Sequence, residues 1–380
     1  FVLFYAQGPL SWKQVAKEYV QEVNTYSDWG YYFLTDRTDF NIASFSTIDA
    51  NGISERVLDY YPDYAVIDPD EYSWYHSGRR MFESYDYSGG SRSYKFTLQG
   101  IRPDSVNMTV AFSASAATET KLTVSVNGAQ TGVMNIGAKS GHSVATVKEQ
   151  SFISRGQFSE DSNIRLTLDA PSGTSGHLDY IRLNYIRNLA MYGSYTLFRT
   201  NTKLINVSYS ISNSNPDVIV WRISNDGSAH IIPSVYSDGK TTTLSTTYNR
   251  NDILVAINPN GSFPEPEKAG DVTNQNLHGL DSTDMVIVVP TSDKITAQAE
   301  RLAQAHRTMD NITVAVVRAD MVYNEFSSGT PDATALRRFM KMLYDRADNN
   351  NPPRYLLLMG EGAWDNRMHG SEWAGNNPDD

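Results

Sequence analysis

The residues best placed for chemistry stand near the end of this 380-residue chain. Gly360-Glu361-Gly362 follows the apolar run Tyr355-Leu-Leu-Leu-Met359, and Asp365 comes just after it. Glycines on both sides of a carboxylate let the backbone turn sharply at a strand end and leave the acid at a sheet rim, where it can orient or exchange a proton. An acid exposed in an ordinary turn is the other reading of the same residues. Two further polar clusters hold equivalent places: Thr291-Ser292-Asp293 after Met285-Val-Ile-Val-Val-Pro290, and Arg318-Ala319-Asp320 with the loop to Gly329 after Ile312-Thr-Val-Ala-Val-Val317. His369, in His369-Gly370-Ser371-Glu372, has the chemistry of a general base, but it follows Gly360 too closely for another helix and strand to intervene and reads as a loop histidine. Asp365, Asn366, Asp379 and Asp380 offer oxygens for calcium, without the spacing of an EF-hand.

Several chemistries are excluded. The chain has 0 Cys, so it supplies neither a thiol nucleophile nor a thiolate metal site, and needs no disulfide. Its 7 histidines never pair at helical or strand spacing, which leaves no zinc site built from neighbours. There is no Gly-x-Ser-x-Gly elbow, and Gly360-Glu-Gly362 lacks the Gly-Lys-Ser/Thr continuation of a phosphate loop while carrying an acid that would repel a phosphate. A net charge of -11 with no Lys/Arg cluster argues against nucleic acid as a partner. No apolar run reaches the length of a membrane-spanning helix.

The elements that must position the C-terminal acids are strand, helix, strand, helix, strand. The three runs just quoted are apolar and β-branched on both faces, as in a parallel sheet covered by helices. Ser292 is the expected cap of the first helix, with Ile295, Ala299, Leu302 and His306 on one stripe. Thr330-Pro331 is the expected start of the second, with Leu336, Phe339, Met340 and Leu343 on its inner face, and Asn349-Asn-Asn-Pro-Pro353 is its expected stop. The expected result is the start of an open α/β sheet built of right-handed βαβ units, with the polar clusters beyond its carboxyl edge.

Before it, 23 Tyr and 14 Phe with only 20% charged residues favour a β-rich globular chain of several domains. Residues 1–90 are aromatic and broken into strand signals at Phe1–Tyr5, Tyr31–Leu34, Phe45–Ile48 and Tyr64–Ile67, with a helical candidate at Trp12–Val23. Residues 91–190 alternate apolar and polar through Tyr94–Leu98, Val106–Val110, Leu122–Val126, Ile164–Leu168 and Leu178–Leu183, with Asn127-Gly128 as a turn, which describes a jelly-roll-like β-sandwich. A structural spacer is the expected role of that sandwich, and a glycan- or partner-binding module the alternative. Residues 191–275 carry Val218–Ile223, a turn at Asn225-Asp-Gly227, His230–Ile232 and Ile253–Ile257, then a Pro-rich linker around Phe263-Pro-Glu-Pro-Glu267. Residues 276–380 are the α/β part. The strand-like start and a parallel sheet of only three strands read as a piece of a larger protein. The fold class is thus multidomain, mostly β with a C-terminal α/β part.

With these residues in view, the chain resembles the sortase-like signal peptidases of the type IX secretion system and, more distantly, the gingipain cysteine peptidases. The carriers are Phe4-Tyr-Ala-Gln-Gly-Pro9, Tyr26-Ser-Asp28, Tyr31-Tyr-Phe-Leu-Thr35, Ser77-Gly-Arg79, Val220-Trp-Arg-Ile223, Tyr323-Asn-Glu-Phe-Ser-Ser-Gly329, Asp332-Ala-Thr-Ala335, and Tyr355 to Gly362 with Trp364-Asp365. The resemblance implies a partial caspase/gingipain-like parallel sheet and a parent enzyme that cleaves the C-terminal signal domain of exported cargo and passes it to an anionic lipopolysaccharide by cysteine-peptidase chemistry. It implies an exported protein at the outer membrane surface of a Gram-negative bacterium, peripheral, with a PorV-like outer-membrane barrel as partner and no obligatory cofactor. The catalytic His and Cys of such enzymes lie beyond the strand that ends here at Gly360, so this chain alone is expected to be inactive. Glu361 stands where the family usually has Asp, and Glu361 or Asp365 is the expected His-orienting acid. His369-Gly370 mimics the catalytic His-Gly pair but falls too early to take its role. A non-catalytic surface-binding or structural module is the rival reading.

Overall fold

The computed structural model describes residues 3–35, 45–74, 79–199, 204–224, 228–249, 252–347, 352–360, 362, 366, 367 and 369. In chain order the strands of the first part are β1 (Leu10–Val15), β2 (Glu18–Val23), the two-residue β3 (Ser46–Thr47) and β4 (Val57–Leu58), β5 (Tyr60–Ile67), β6 (Ser91–Thr97), β7 (Ile101–Ser115), β8 (Thr120–Val126), β9 (Ala129–Ile136), β10 (Thr146–Ser154), β11 (Asp161–Asp169) and β12 (Ser175–Asn188).

Two four-stranded sheets, β10-β7-β12-β5 and β6-β11-β8-β9, face each other as the jelly-roll-like sandwich that the alternation predicts. Their inward positions, among them Val110, Phe112, Leu122, Val124, Leu166 and Ile181, are buried in one core. The tight β8–β9 turn is built on Asn127 and Gly128, at φ 49° and 86°, as an Asn-Gly hairpin requires. β5 joins the sandwich from before Ser91, pairing antiparallel with β12.

The sequence pattern misleads at Trp12–Val23. This stretch is not a helix but the antiparallel hairpin β1–β2, with Gln14 opposite Tyr19 and Trp12 opposite Gln21. These four residues share one face, on which Tyr19 and Gln14 are buried. Trp12 stacks on Tyr64 at 3.6 Å, Tyr19 N–H donates to Asn184 at 2.7 Å and Gln21 accepts from Arg182 at 2.8 Å. A buried face that includes two glutamines hides the period-2 signal, and the turn uses Ala16 at φ 55° rather than glycine. Tyr31–Leu34 and the described residues of Phe1–Tyr5 also form no strand.

A second β part follows: β13 (Tyr195–Arg199), β14 (Leu204–Ile211), β15 (Ile219–Ile223), β16 (Ala229–Ile232), β17 (Ser234–Ser237), β18 (Lys240–Thr243), β19 (Thr246–Tyr248) and β20 (Ile253–Ile257). The sheet β13-β20-β15-β16-β3 packs on β17-β18-β14-β19, with Phe198, Tyr209, Val220, Tyr248 and Leu254 buried between them. β15 and β16 pair as the hairpin signal requires, from Val220 opposite Ile232 to Ile223 opposite Ala229; the turn at Asn225-Asp-Gly227 lies outside the described residues.

The α/β part consists of β21 (Met285–Val289), α1 (Asp293–Met309), β22 (Val314–Arg318), α2 (Ala319–Phe326), α3 (Ala333–Arg346) and β23 (Tyr355–Leu358). All three strands are parallel in the order β22-β21-β23. Val286 and Val288 point to α2 and α3, Ile287 and Val289 to α1, which is why the run is apolar at every position. Two expectations are corrected. The stretch after Arg318 is the helix α2, held by Val322 and Phe326 against α3, rather than a loop to Gly329. The cap of α3 is Asp332, whose carboxylate accepts from Thr334 N–H at 2.7 Å, and not Thr330, because an Asx turn places the acceptor nearer the first free amides. Residues 348–351 of the expected stop lie outside the described set.

Candidate functional site

β21 is the middle strand, so the chain leaves it in one direction to reach β22 and returns past it to reach β23. The connections diverge between β21 and β23, and this opens the crevice beyond the carboxyl ends where α/β sheets hold ligands. Gly360 lines it at φ 154°, a backbone that side-chain-bearing residues rarely adopt, and a Cβ there would lie 3.7 Å from Pro290 Cδ. Across from it Ser292 occupies the N-cap position of α1, but its hydroxyl makes no capping bond; its carbonyl instead accepts from Thr296 N–H at 3.0 Å and Thr296 Oγ1 at 2.9 Å. Asp320 is held by Arg318 through two bonds of 3.0 and 2.8 Å, which ties that cluster into an ion pair. Glu361 and Asp365, the acids expected at this rim, lie outside the described residues, as do Asp379 and Asp380 of the calcium set. Among the described residues no group of three or more His, Cys, Asp or Glu could hold a metal ion.

What the structure does place here is a clamp. Arg367, only 5% exposed at its side chain, reaches Asp70 Oδ2 at 2.7 Å and Asp28 Oδ1 at 3.2 Å. His369 bonds Asp28 Oδ2 through Nε2 at 2.6 Å and the Asp70 carbonyl through Nδ1 at 2.7 Å. Both partners are accepting oxygens, so the two bonds form together when both ring nitrogens carry protons, and the arrangement favours the cation. Burial pulls the His369 pKa down, but the Asp28 carboxylate and the Asp70 carbonyl outweigh it and raise the value. An imidazolium in this position has no lone pair to accept a proton. Nearby, burial pushes Asp68 up to about 6, against the hydrogen bond from Gln21. The sequence flagged His369 but gave no sign of its partners, since no local spacing links residues 28, 70 and 369.

The segment that carries Asp28 continues as Trp29-Gly30-Tyr31-Tyr32-Phe33 along the α/β part. Tyr32 Oη donates to the Gln7 carbonyl at 2.8 Å, and Arg79 bonds Tyr26 Oη at 3.0 Å. On the other side, a Cβ at Gly329, which sits at φ 84°, would meet Tyr31 Cβ at 3.4 Å and Phe33 Cζ at 3.6 Å. The segment thus touches both the α2–α3 connection and the stretch after β23. Between it and that connection lies a cavity of about 240 Å³ lined by Gly8, Pro9, Trp29, Tyr31, Tyr32 and Thr330, among others. Much of the sequence that carries the family resemblance, scattered from Gln7 to Gly329, converges on this one place.

Comparison with known proteins agrees with this architecture. Residues 278–377 match the sequence model of Peptidase family C25. PorU from Porphyromonas gingivalis, solved in a dimeric latent form, is 25% identical and superposes with a TM-score of 0.84 over 98% of this chain. The chain spans 36% of the length of that PorU chain. A CBM36 carbohydrate-binding module solved with calcium and xylotriose is 24% identical over 24% of this chain and 71% of its own, but its TM-score of 0.20 is too low to bear on fold or function. No curated protein matches. Mostly β, with a C-terminal parallel sheet in the segment that matches the C25 model, the chain has the fold of the part of PorU that it spans.

Proposed function

We propose that this chain is the N-terminal scaffold of a type IX secretion sortase, the surface enzyme that removes the C-terminal signal domain of exported cargo and joins the new terminus to an anionic lipopolysaccharide. The observation that carries this reading is the likeness to PorU along 98% of the chain. In the parent enzyme a Cys thiolate attacks the scissile carbonyl, a His shuttles the proton, and water or an amine resolves the acyl-enzyme. Neither of those two groups is supplied here: the chain has 0 Cys, and both ring nitrogens of His369 are engaged by Asp28 and Asp70. Its own contribution is the first three strands of the catalytic sheet and one wall of the substrate cleft. The open edge of β23, where Leu356 and Leu358 are 44% and 56% exposed, supports further strands adding on that side. Glu361 or Asp365 serves as the acid that orients the catalytic His. A PorV-like barrel provides the membrane attachment, and calcium is an optional structural ion. The absence of Cys also supports a second reading, a non-catalytic surface-binding or structural module.

A thiol-dependent peptidase assay separates the two, using a peptide that spans a cargo signal-domain junction on this chain and on the full parent side by side. Activity confined to the parent and abolished by alkylation is expected. Activity in neither points to the binding module. Within an active parent, a Glu361→Gln, Asp365→Asn double variant that cleaves at the normal rate removes the orienting role from both acids.

A further inference from the structure

The stretch Trp29 to Leu34 is the most exposed apolar run in the described chain: Trp29 is 66%, Phe33 54% and Leu34 95% exposed. Such a run is costly to leave in water unless something covers it. Its backbone is equally open. Gly30 to Leu34 belong to no strand, and among the described residues their N–H and C=O groups have no hydrogen-bond partner. The side chains nevertheless hold the segment in place, through Tyr32 on the Gln7 backbone and Tyr31 and Phe33 on Gly329. A fixed segment with free backbone groups and exposed aromatic rings is what an extended peptide needs, since main-chain pairing supplies affinity and a side-chain pocket supplies selection.

The cavity beside it supports the same occupant. At about 240 Å³ it is smaller than the roughly 300–1,000 Å³ typical of small-molecule sites, which suits one side chain rather than a whole ligand. Its walls combine the rings of Trp29, Tyr31 and Tyr32 and Pro9 with the amide side chains of Gln7 and Asn24 and the hydroxyl-bearing Ser328 and Thr330, and no Lys, Arg, Asp or Glu lines it. An uncharged, apolar side chain fits this lining. Charge in the neighbourhood is already spent, because Asp28 is paired with Arg367 and His369.

We propose that Gly30 to Leu34 bind an extended polypeptide by main-chain pairing, with one large apolar side chain of that peptide seated in the cavity between Trp29, Tyr32 and Thr330. The proposal deepens the peptidase reading and rests on it for the peptide's identity as substrate. It places a selecting subsite on the scaffold, away from the nucleophile.

The test is fluorescence anisotropy on this chain, with a blocked, labelled peptide of alternating threonine and valine around one central phenylalanine. Saturable binding is expected, weakened about tenfold or more by Trp29→Ala, as for the removal of an aromatic anchor. A version of the peptide N-methylated at alternate amides, which needs no change in the protein, is expected to lose binding as well. Absence of saturable binding, or equal binding of the methylated peptide and by the Trp29→Ala chain, overturns the proposal. So does sedimentation showing that two copies of the chain associate through Trp29 and shut the peptide out. None of these readouts involves thiol chemistry, so peptide binding that persists with an inactive parent overturns the sortase reading and leaves this site standing.

Discussion

His369 Nε2 lies 2.6 Å from Asp28 Oδ2, although 341 positions separate the two residues in the chain. With Arg367 between Asp28 and Asp70, this contact fastens the stretch after β23 to the N-terminal β region.

The clamp should weaken as pH rises. The His369 pKa is raised above the ordinary value of about 6.5, so its contribution is complete below that pH and disappears as the pH climbs through the raised value. The groups facing the ring are Asp28, Asp70 and Arg367, of which Arg367 opposes protonation. Replacing His369 by Ala should cost about 1 kcal/mol in mild acid, a value discounted for the half-exposed Asp28, and less in base once the pH has passed the raised value. Chemical denaturation of both proteins in mild acid and in base checks this, and a pH-independent difference would rule out the cationic clamp.

Glu325 should behave in the opposite sense. Burial raises its pKa, but the N–H groups of Leu277 and His278 with the side chains of Gln275 and His278 outweigh that and hold it below the ordinary carboxylate value. Its stabilisation is therefore present above about pH 4.3 and is lost as the pH falls through the lowered value. A Glu325→Gln change should cost roughly 1–2 kcal/mol at neutral pH, since the carboxylate is mostly buried and accepts four bonds, the shortest to His278 Nδ1 at 2.5 Å. The stability curves of the variant and the wild type should converge in acid.

Gly132 is required by packing rather than by a turn. A Cβ there would lie 2.4 Å from Phe152 Cδ1 and 2.5 Å from Cε1, across the edge between β9 and β10. Gly132→Val should therefore destabilise the sandwich by about 1–3 kcal/mol through overpacking. Combined with Phe152→Ala, the loss should be clearly less than the sum of the single changes, as a double-mutant cycle by thermal melting will read. Additive losses would mean that the two positions do not share space.

Where period and turn chemistry coincide, the sequence is a sufficient guide. β8 with its Asn127-Gly128 turn and the all-apolar β21 are read correctly because burial acts on every inward position. It fails at β1–β2, whose inner face includes Gln14 and Gln21 bonded to polar groups of the sandwich, so hydrophobicity does not report burial there. It misses α2, an eight-residue helix whose inner face is little more than Val322 and Phe326. The clamp is invisible for a different reason. Asp28, Asp70, Arg367 and His369 are unremarkable singly, and only the docking of the α/β part against the sandwich brings them together.

That docking also bears on the order of events when the chain folds. The βαβ units close through neighbouring segments and the sandwich through strands no farther apart than β5 and β12, whereas the Asp28–His369 and Asp28–Arg367 contacts join residues 341 and 339 positions apart. Contacts of such separation carry the largest loop-closure cost and form after the local ones. During synthesis Asp28 emerges long before Arg367 and His369 exist, and the N-terminal domains fold first. The β region is then a finished template on which the stretch after β23 comes to rest, and the segment that carries Trp29 is in place before the α/β part it adjoins has been made.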